Sequence, residues 1–238
     1  SDIEQGKGVG VIDPHNDLAE EILNYIPKER INDVVYFNAG DTEYPIAFNP
    51  LSDVQEQDRY LVAATIVTTL KKLWADSWGP RLEHILRYTL LSLSYHSKST
   101  LLDIVPMLTN AEFRKQVLYA VPVHSIHEFW QKEFDPLSPQ LKNEFISPIV
   151  NKVGLFAAHP ILRNILGQQK NTIDIAQIMN TKKIFIANLS KGVLGEAIEE
   201  AIRNWIEEEQ QLKIAERQMA LSRKGLYYLN GWKFNREE

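Results

Sequence analysis

The chain opens on a change of period. Val9-Gly10-Val11-Ile12 is a short apolar run that stops at Asp13-Pro14-His15-Asn16-Asp17. Leu18, Ile22, Leu23 and Ile26 then keep helical spacing until Pro27, and Val34-Val35-Tyr36-Phe37 returns to β-branched and aromatic residues. The pattern predicts a strand over 8–13, a helix from about Asp17, and a strand over 34–37. Asn16 or Asp17 can cap the helix, with Glu20 and Glu21 early in it, where negative charge suits the helix dipole. Strand–helix–strand of this length implies parallel strands joined by a right-handed crossover. Ligands of such sheets sit beyond the carboxyl ends of the strands, and Asp13 and His15 fall at that rim.

From Asp53 the period is helical for more than a hundred residues. Long helices are expected over 53–73 and 80–95, the second opened by Gly79-Pro80. Shorter ones are expected over 100–108, 110–120, 125–134, 138–157 and 160–166, with Pro106 and Pro148 as sites of kinking or breakage. Lys183-Ile184-Phe185-Ile186-Ala187-Asn188 restores a strand. A charged helix is expected over 195–223, with Gly225 as its C-cap. Residues 226–234, LYYLNGWKF, read as a hairpin turned at Asn230-Gly231. The expected fold is therefore α/β: a partial parallel sheet with a large all-helical insertion, then a C-terminal helix and β-hairpin. By segment, this is a βαβ core over 1–52, an all-helical insert over 53–180, a core strand and turn over 181–195, and a helix-hairpin tail over 196–238.

Composition narrows the function classes. The 238 residues carry 26 Lys and Arg against 31 Asp and Glu, a net charge of −5, so bulk charge supplies no basic face for nucleic acid. There is no cysteine, hence no disulfide framework and no thiolate metal site, which fits a reducing compartment. No run approaches the ~18 apolar residues of a membrane span, and the polar start Ser1-Asp2-Ile3-Glu4-Gln5 does not read as a signal peptide. A cytoplasmic location is expected. The chain starts without Met and reads as a fragment or a processed form.

Several side-chain groups carry chemistry. Asp13, His15 and Asp17 alternate, which places them on one face in extended geometry. They can line a phosphate pocket, or serve as Asp-x-His-x-Asp metal ligands. Taken with this chain alone, a turn and helix cap is the favoured reading. His124-x-x-His127-Glu128 matches neither His-Glu-x-x-His nor its inverse, so it reads as an amphipathic helix end. Arg81, Arg87 and Arg163 read better as helix-surface or helix-end cations than as trans-acting arginine fingers, and Arg163 is the best finger candidate of the three. Lys71, Lys72 and Lys98 lie near Trp74 and Trp78, a sparse basic-aromatic group that reads better as a solvated helix face. In the helix from 195, Glu199–Arg203 and Glu209–Lys213 have ion-pair spacing, and Ile198, Ile202, Trp205, Ile206 and Leu212 form an uneven apolar stripe.

Residues 6–23, GKGVGVIDPHNDLAEEIL, resemble the strand after the P-loop helix in bacterial ATPases of the HerA–FtsK superfamily. The likeness is to the conjugative-transfer branch related to type IV secretion coupling proteins. The pattern there is a strand ending in Asp-Pro-His-Gly-Asp-Leu. The resemblance continues through Asp33–Phe37, Pro45-Ile46-Ala47-Phe48-Asn49-Pro50-Leu51, the stretch Trp78–Arg87, Phe129-Trp130, His159–Gln168 and Ile184–Glu196. It covers roughly residues 1–196 and rests on the order and spacing of these stretches.

The resemblance implies a RecA-like core with a helical domain between its strands, rings of subunits, ATP and magnesium as cofactors, and DNA as cargo. It places Asp13, His15 and Asp17 on the phosphate side. The departures bear on activity. A P-loop requires Gly-x-x-x-x-Gly-Lys-Ser/Thr, which is absent; Gly167-Gln168-Gln169-Lys170-Asn171-Thr172 has the wrong spacing. The Walker B strand ending in Asp-Glu is absent too, and after Glu196 the likeness ends. The expectation is a fragment or degenerate member of such a motor, without ATP hydrolysis of its own. Its implied partners are the missing P-loop half or further copies of the chain. The rival expectation is a non-catalytic module that docks to a secretion or transfer complex. A third, weaker idea is a metal-dependent hydrolase on Asp13, His15 and His127.

Overall fold

A computed structural model of the chain describes residues 1–189, 195, 199–200, 202–207, 211 and 214. The expected hairpin over 226–234 and the Glu209–Lys213 pair lie outside the described residues. Contacts divide the chain into two compact units: Ser1–Gly40 with the described residues from Asp174 onward, and Asp41–Ile173.

The first unit is α/β. Strands β1 (Val9–Asp13), β2 (Val34–Asn38) and β3 (Ile184–Asn188) form a parallel three-stranded sheet in the order β1-β3-β2. Helix α1 (Asp17–Asn24) follows β1. β1 and β2 are parallel but not neighbours, because β3 arrives from beyond the helical unit and lies between them. Every residue of β3 is buried, as a central parallel strand requires, while β1 and β2 are largely half-buried. One face of the sheet packs Ile184 and Ile186 against Ala19 of α1. Ile3, Ile22, Ile26, Val34 and Tyr36 surround this cluster. The apolar spacing of α1 is what aims Ala19 and Ile22 at the strands.

Arg30 fastens the amino end of this sheet. Its guanidinium donates to the carbonyls of Ile3 (2.9 Å), Lys7 (2.8 Å) and Lys182 (2.7 Å), and pairs with Asp33 at 3.0 Å. It thus joins the segments that lead into β1, β2 and β3. Farther along, residues 202–207 are helical, with Ile202, Trp205 and Ile206 buried, and Glu199 meets Arg203 at 3.1 Å, the expected i,i+4 pair.

The second unit is helical. Its helices are α2 (Arg59–Leu73), α3 (Pro80–Ser94), α4 (Ile104–Thr109), α5 (Ala111–Tyr119), α6 (His124–Glu128), α7 (Pro139–Ala158) and α8 (Pro160–Leu166). α2 starts later than its apolar period predicts, because Asp53 takes a left-handed φ of 55° and residues 56–58 form a 3₁₀ turn. Pro148 does not break α7: buried Ile146, Ile149 and Val153 hold the helix on both sides of it. α7 and α8 meet at 94° around His159, whose side chain accepts from Leu162 N–H. Among the described residues no single helix is long and apolar enough to cross a membrane.

The loop 41–52, grouped with the first strands by sequence, is bonded into this helical unit. Phe48 N–H donates to the Ile165 carbonyl at 3.0 Å, and Ala47 N–H to Thr172 Oγ1 at 2.9 Å. Asn49 is fully buried and donates to the carbonyls of Ser99 and Gln169. The unit's other anchor is Trp130, in a single π-helical stretch over Phe129–Phe134. Its indole N–H donates to Ser92 Oγ at 2.9 Å, and its ring meets Phe129 and Phe134 edge-on. A further helix, α9 (Ile175–Asn180), belongs to the first unit and leads into β3; the sequence reading did not anticipate it.

Candidate functional site

Each of the three strands ends on a polar residue, and the register sets these residues side by side: Asp13 opposite Asn188, and Asn188 opposite Asn38. The carboxyl edge of the sheet is therefore a row Asp-Asn-Asn. Asp13 and Asn188 are each only 3% exposed, so the partners of these groups come from within the protein.

Asp13 spends both carboxylate oxygens on the backbone that follows it. Oδ1 accepts from His15 N–H at 2.8 Å, closing an Asx turn over Pro14, and Oδ2 accepts from Ala19 N–H at 2.7 Å in the first turn of α1. The cap of α1 thus comes from the strand, not from the residue at the cap position. Asn16 holds that position in the left-handed region (φ 78°), which Asn tolerates better than most residues. Its side chain turns elsewhere: Nδ2 donates to Glu20 Oε1 at 2.8 Å, and Oδ1 accepts from Asn188 Nδ2. Asn188 Nδ2 also donates to Tyr36 Oη at 3.0 Å, and Asn188 Oδ1 is a buried acceptor with no partner. Glu20, Asn16, Asn188 and Tyr36 form one chain of bonds from the start of α1 to β2. Asn38 Oδ1 accepts from Gly40 N–H at 3.0 Å.

His15 and Asp17 are exposed, so the alternating triplet does not converge as an extended strand would make it. The Asx turn at Pro14 rotates His15 and Asp17 away from the face that Asp13 occupies. Sequence reasoning singled out Asp13 and passed over Asn38 and Tyr36. The same signature, an apolar run ending in a polar residue, marks all three strand ends.

The structure separates the other candidates. Arg163 is exposed in the last turn of α8, and its guanidinium has no ion-pair partner among the described residues. Arg81 lies over the Phe145 ring at 4.0 Å, and Arg87 is paired with Glu83, so both are engaged within the helical unit. His127 Nε2 sits 2.9 Å from the Val121 carbonyl, and His124 is exposed near Glu128. Asp13 and His15 belong to one unit and His127 to the other. Among the described residues no group of three His, Cys, Asp or Glu can hold a metal ion. Lys71 and Trp78 do meet, both on Glu83, whereas Trp74 packs against Phe156 with ring centroids 5.8 Å apart.

Asp13→Asn tests the cap directly. An amide group must turn its NH2 toward one of the two backbone N–H donors, which loses a bond and buries a donor against a donor. A loss of about 1–3 kcal/mol is expected in urea unfolding followed by circular dichroism.

Together these features define a parallel α/β unit with a polar, internally bonded carboxyl edge, in one chain with a separate helical unit. No family model, no curated protein and no solved structure matches this chain.

Proposed function

We propose that the chain is part of a conjugative DNA-transfer motor of the HerA–FtsK type, or a degenerate member of that group, and does not hydrolyse ATP itself. The observation that carries the reading is the topology at the carboxyl edge. Strands 150 residues apart in sequence, separated by a helical unit, return to one parallel sheet and end in one polar row. Asn16 adds support. It stands where the conjugative pattern has Gly, and its φ of 78° is a conformation that Gly and Asn share. In this reading the parallel strands are part of a RecA-like sheet. DNA is the parent's cargo, and a P-loop half or further copies of the chain complete a ring.

ATP and magnesium, implied for the parent, do not fit this edge as it stands. The amide of α1 that would face a phosphate is already held by the Asp13 carboxylate, and the row Asp13–Asn188–Asn38 supplies no cation. The sequence supplies no P-loop to cradle the phosphates. Nucleotide chemistry therefore requires another polypeptide segment.

The test pairs a fluorescent ATP analogue with magnesium against a labelled DNA duplex of about 30 base pairs. The expected result is no saturable nucleotide binding and no phosphate release, with duplex binding that weakens as salt rises. Micromolar nucleotide binding abolished by Asp13→Ala overturns the non-hydrolytic reading. Absence of duplex binding at low salt favours the rival reading, a docking module of a secretion or transfer complex. One feature of the helical unit supports that rival: a groove that is both cationic and aromatic.

A further inference from the structure

The C-terminal end of α2 and the first turns of α3 enclose a groove of about 480 Å³, lined by Lys71, Trp78, Pro80, Glu83, His84 and Arg87. Glu83 is its hub. Oε2 accepts from Trp78 Nε1 at 3.0 Å and from Lys71 Nζ at 3.1 Å, and Oε1 accepts from Arg87 at 2.9 Å. The Trp78 hydrogen bond, then Lys71 and Arg87, hold its carboxyl below the usual carboxylate range, so it is an anion throughout the neutral range. One carboxylate thus meets two cations. Neither cation is exhausted: each donates a hydrogen bond to Glu83 and keeps further N–H donors, and Lys71 is exposed. The Arg87 guanidinium lies 5.9 Å from the ring centroid of Tyr60, which is 64% exposed, and exposed Pro80 adds an apolar wall beside Trp78.

We propose that this groove docks an acidic peptide segment of a partner protein. A carboxylate of the partner meets Lys71 and Arg87, and an adjacent apolar side chain lies against Trp78 and Pro80. Trp and Arg line this one groove, with Tyr60 beside Arg87, and these residue types dominate protein docking energies. The charge pattern selects the occupant. The excess over Glu83 is a single positive charge. His84 meets the exposed carboxylate of Glu133 at 3.1 Å, a second anion beside the groove. A polyphosphate backbone would bring several negative charges against Glu83 and Glu133, whereas a peptide can offer one or two carboxylates spaced by apolar residues. Glu83 itself acts as the resident anion with which the partner's carboxylate competes. The inference needs neither reading of the sheet to hold, since it rests on the helical unit alone.

The competition gives the test its sign. A fluorescein-labelled peptide of alternating Glu and Leu is titrated by anisotropy against the full chain, beside a Lys-and-Leu counterpart and a labelled single-stranded oligonucleotide. The acidic peptide is expected to bind, with affinity falling as salt rises. Lys71→Gln and Arg87→Gln each weaken it about tenfold, a fold-change typical of losing one contact of a charged pair. Glu83→Gln tightens it severalfold, because it frees both cations; a purely structural Glu83 would give no gain. Lys115→Gln, at the distant Glu112 pair, leaves binding unchanged and controls for net charge. Circular dichroism confirms that each variant is folded. Equal binding of the basic peptide, displacement of the acidic peptide by the oligonucleotide, weaker binding in folded Glu83→Gln, or no peptide binding at millimolar concentration each overturns the proposal.

Discussion

Trp130→Ala is expected to destabilise the helical unit by about 3–5 kcal/mol, the largest single effect in the chain. The side chain is fully buried, so truncation leaves a cavity the size of an indole among Phe129, Phe134 and α3. It also removes the neighbour of a buried cation. Arg114, only 7% exposed, donates to the carbonyls of Met107 and Leu108 and to Asp135 at 2.8 Å, with its guanidinium 5.4 Å from the Trp130 ring centroid and 5.2 Å from that of Phe134. Those rings keep water from Arg114, so opening the pocket changes packing and electrostatics together. Trp130→Phe separates the contributions. It keeps a ring for Arg114 and gives up the Ser92 bond and part of the volume, and a loss of about 1–2 kcal/mol is expected. Guanidinium unfolding followed by far-UV circular dichroism reads both. Equal losses for the two variants would mean that ring packing contributes little.

Arg30→Met comes next, at about 2–4 kcal/mol, and its effect is confined to the α/β unit. The side chain is 12% exposed and meets three carbonyls and a carboxylate. Truncating the donor leaves acceptors at the amino edge without a partner, and each charge-assisted bond lost counts for more than a neutral one. Arg30→Lys recovers less than half. An ammonium is a point charge on a flexible stem and cannot reproduce the planar fork that spans Ile3, Lys7 and Lys182. Amide hydrogen exchange gives the spatial test: protection falls in β1 and β3 and holds in α3 and α7. Uniform loss across both units would refute the local clamp.

Much of this fold was legible locally. The three strands fall within a residue of the positions their apolar runs predict, and α8 matches its expected span of 160–166. Pro80 and Pro160 mark helix starts because the first turn has no use for their missing N–H groups. α9 carried a signal that went unused: Asp174 accepts from Gln177 N–H at 2.8 Å, an ordinary N-cap three residues ahead of its partner. At the sheet edge a turn and helix cap were legible over residues 13–17, but the cap expected from Asn16 or Asp17 comes from Asp13, and the fate of Asn188 was not legible. Nothing near Asn188 in sequence announces Asn16, 172 residues away.

The sequence by itself determined the local elements and the polar punctuation at each strand end, because helix and strand periods and turn chemistry are properties of neighbouring residues. It also determined the lack of a P-loop in this stretch of chain. Only the tertiary structure decided that β3 lies between β1 and β2, that the loop at 41–52 belongs to the helices, and that Asp13 divides its oxygens between the turn at His15 and the first turn of α1. It alone gathered Lys71, Trp78 and Arg87 on Glu83. Hydrogen-bond partners and ion pairs between distant segments depend on how elements pack, and a one-dimensional pattern of apolar and polar positions does not specify that packing.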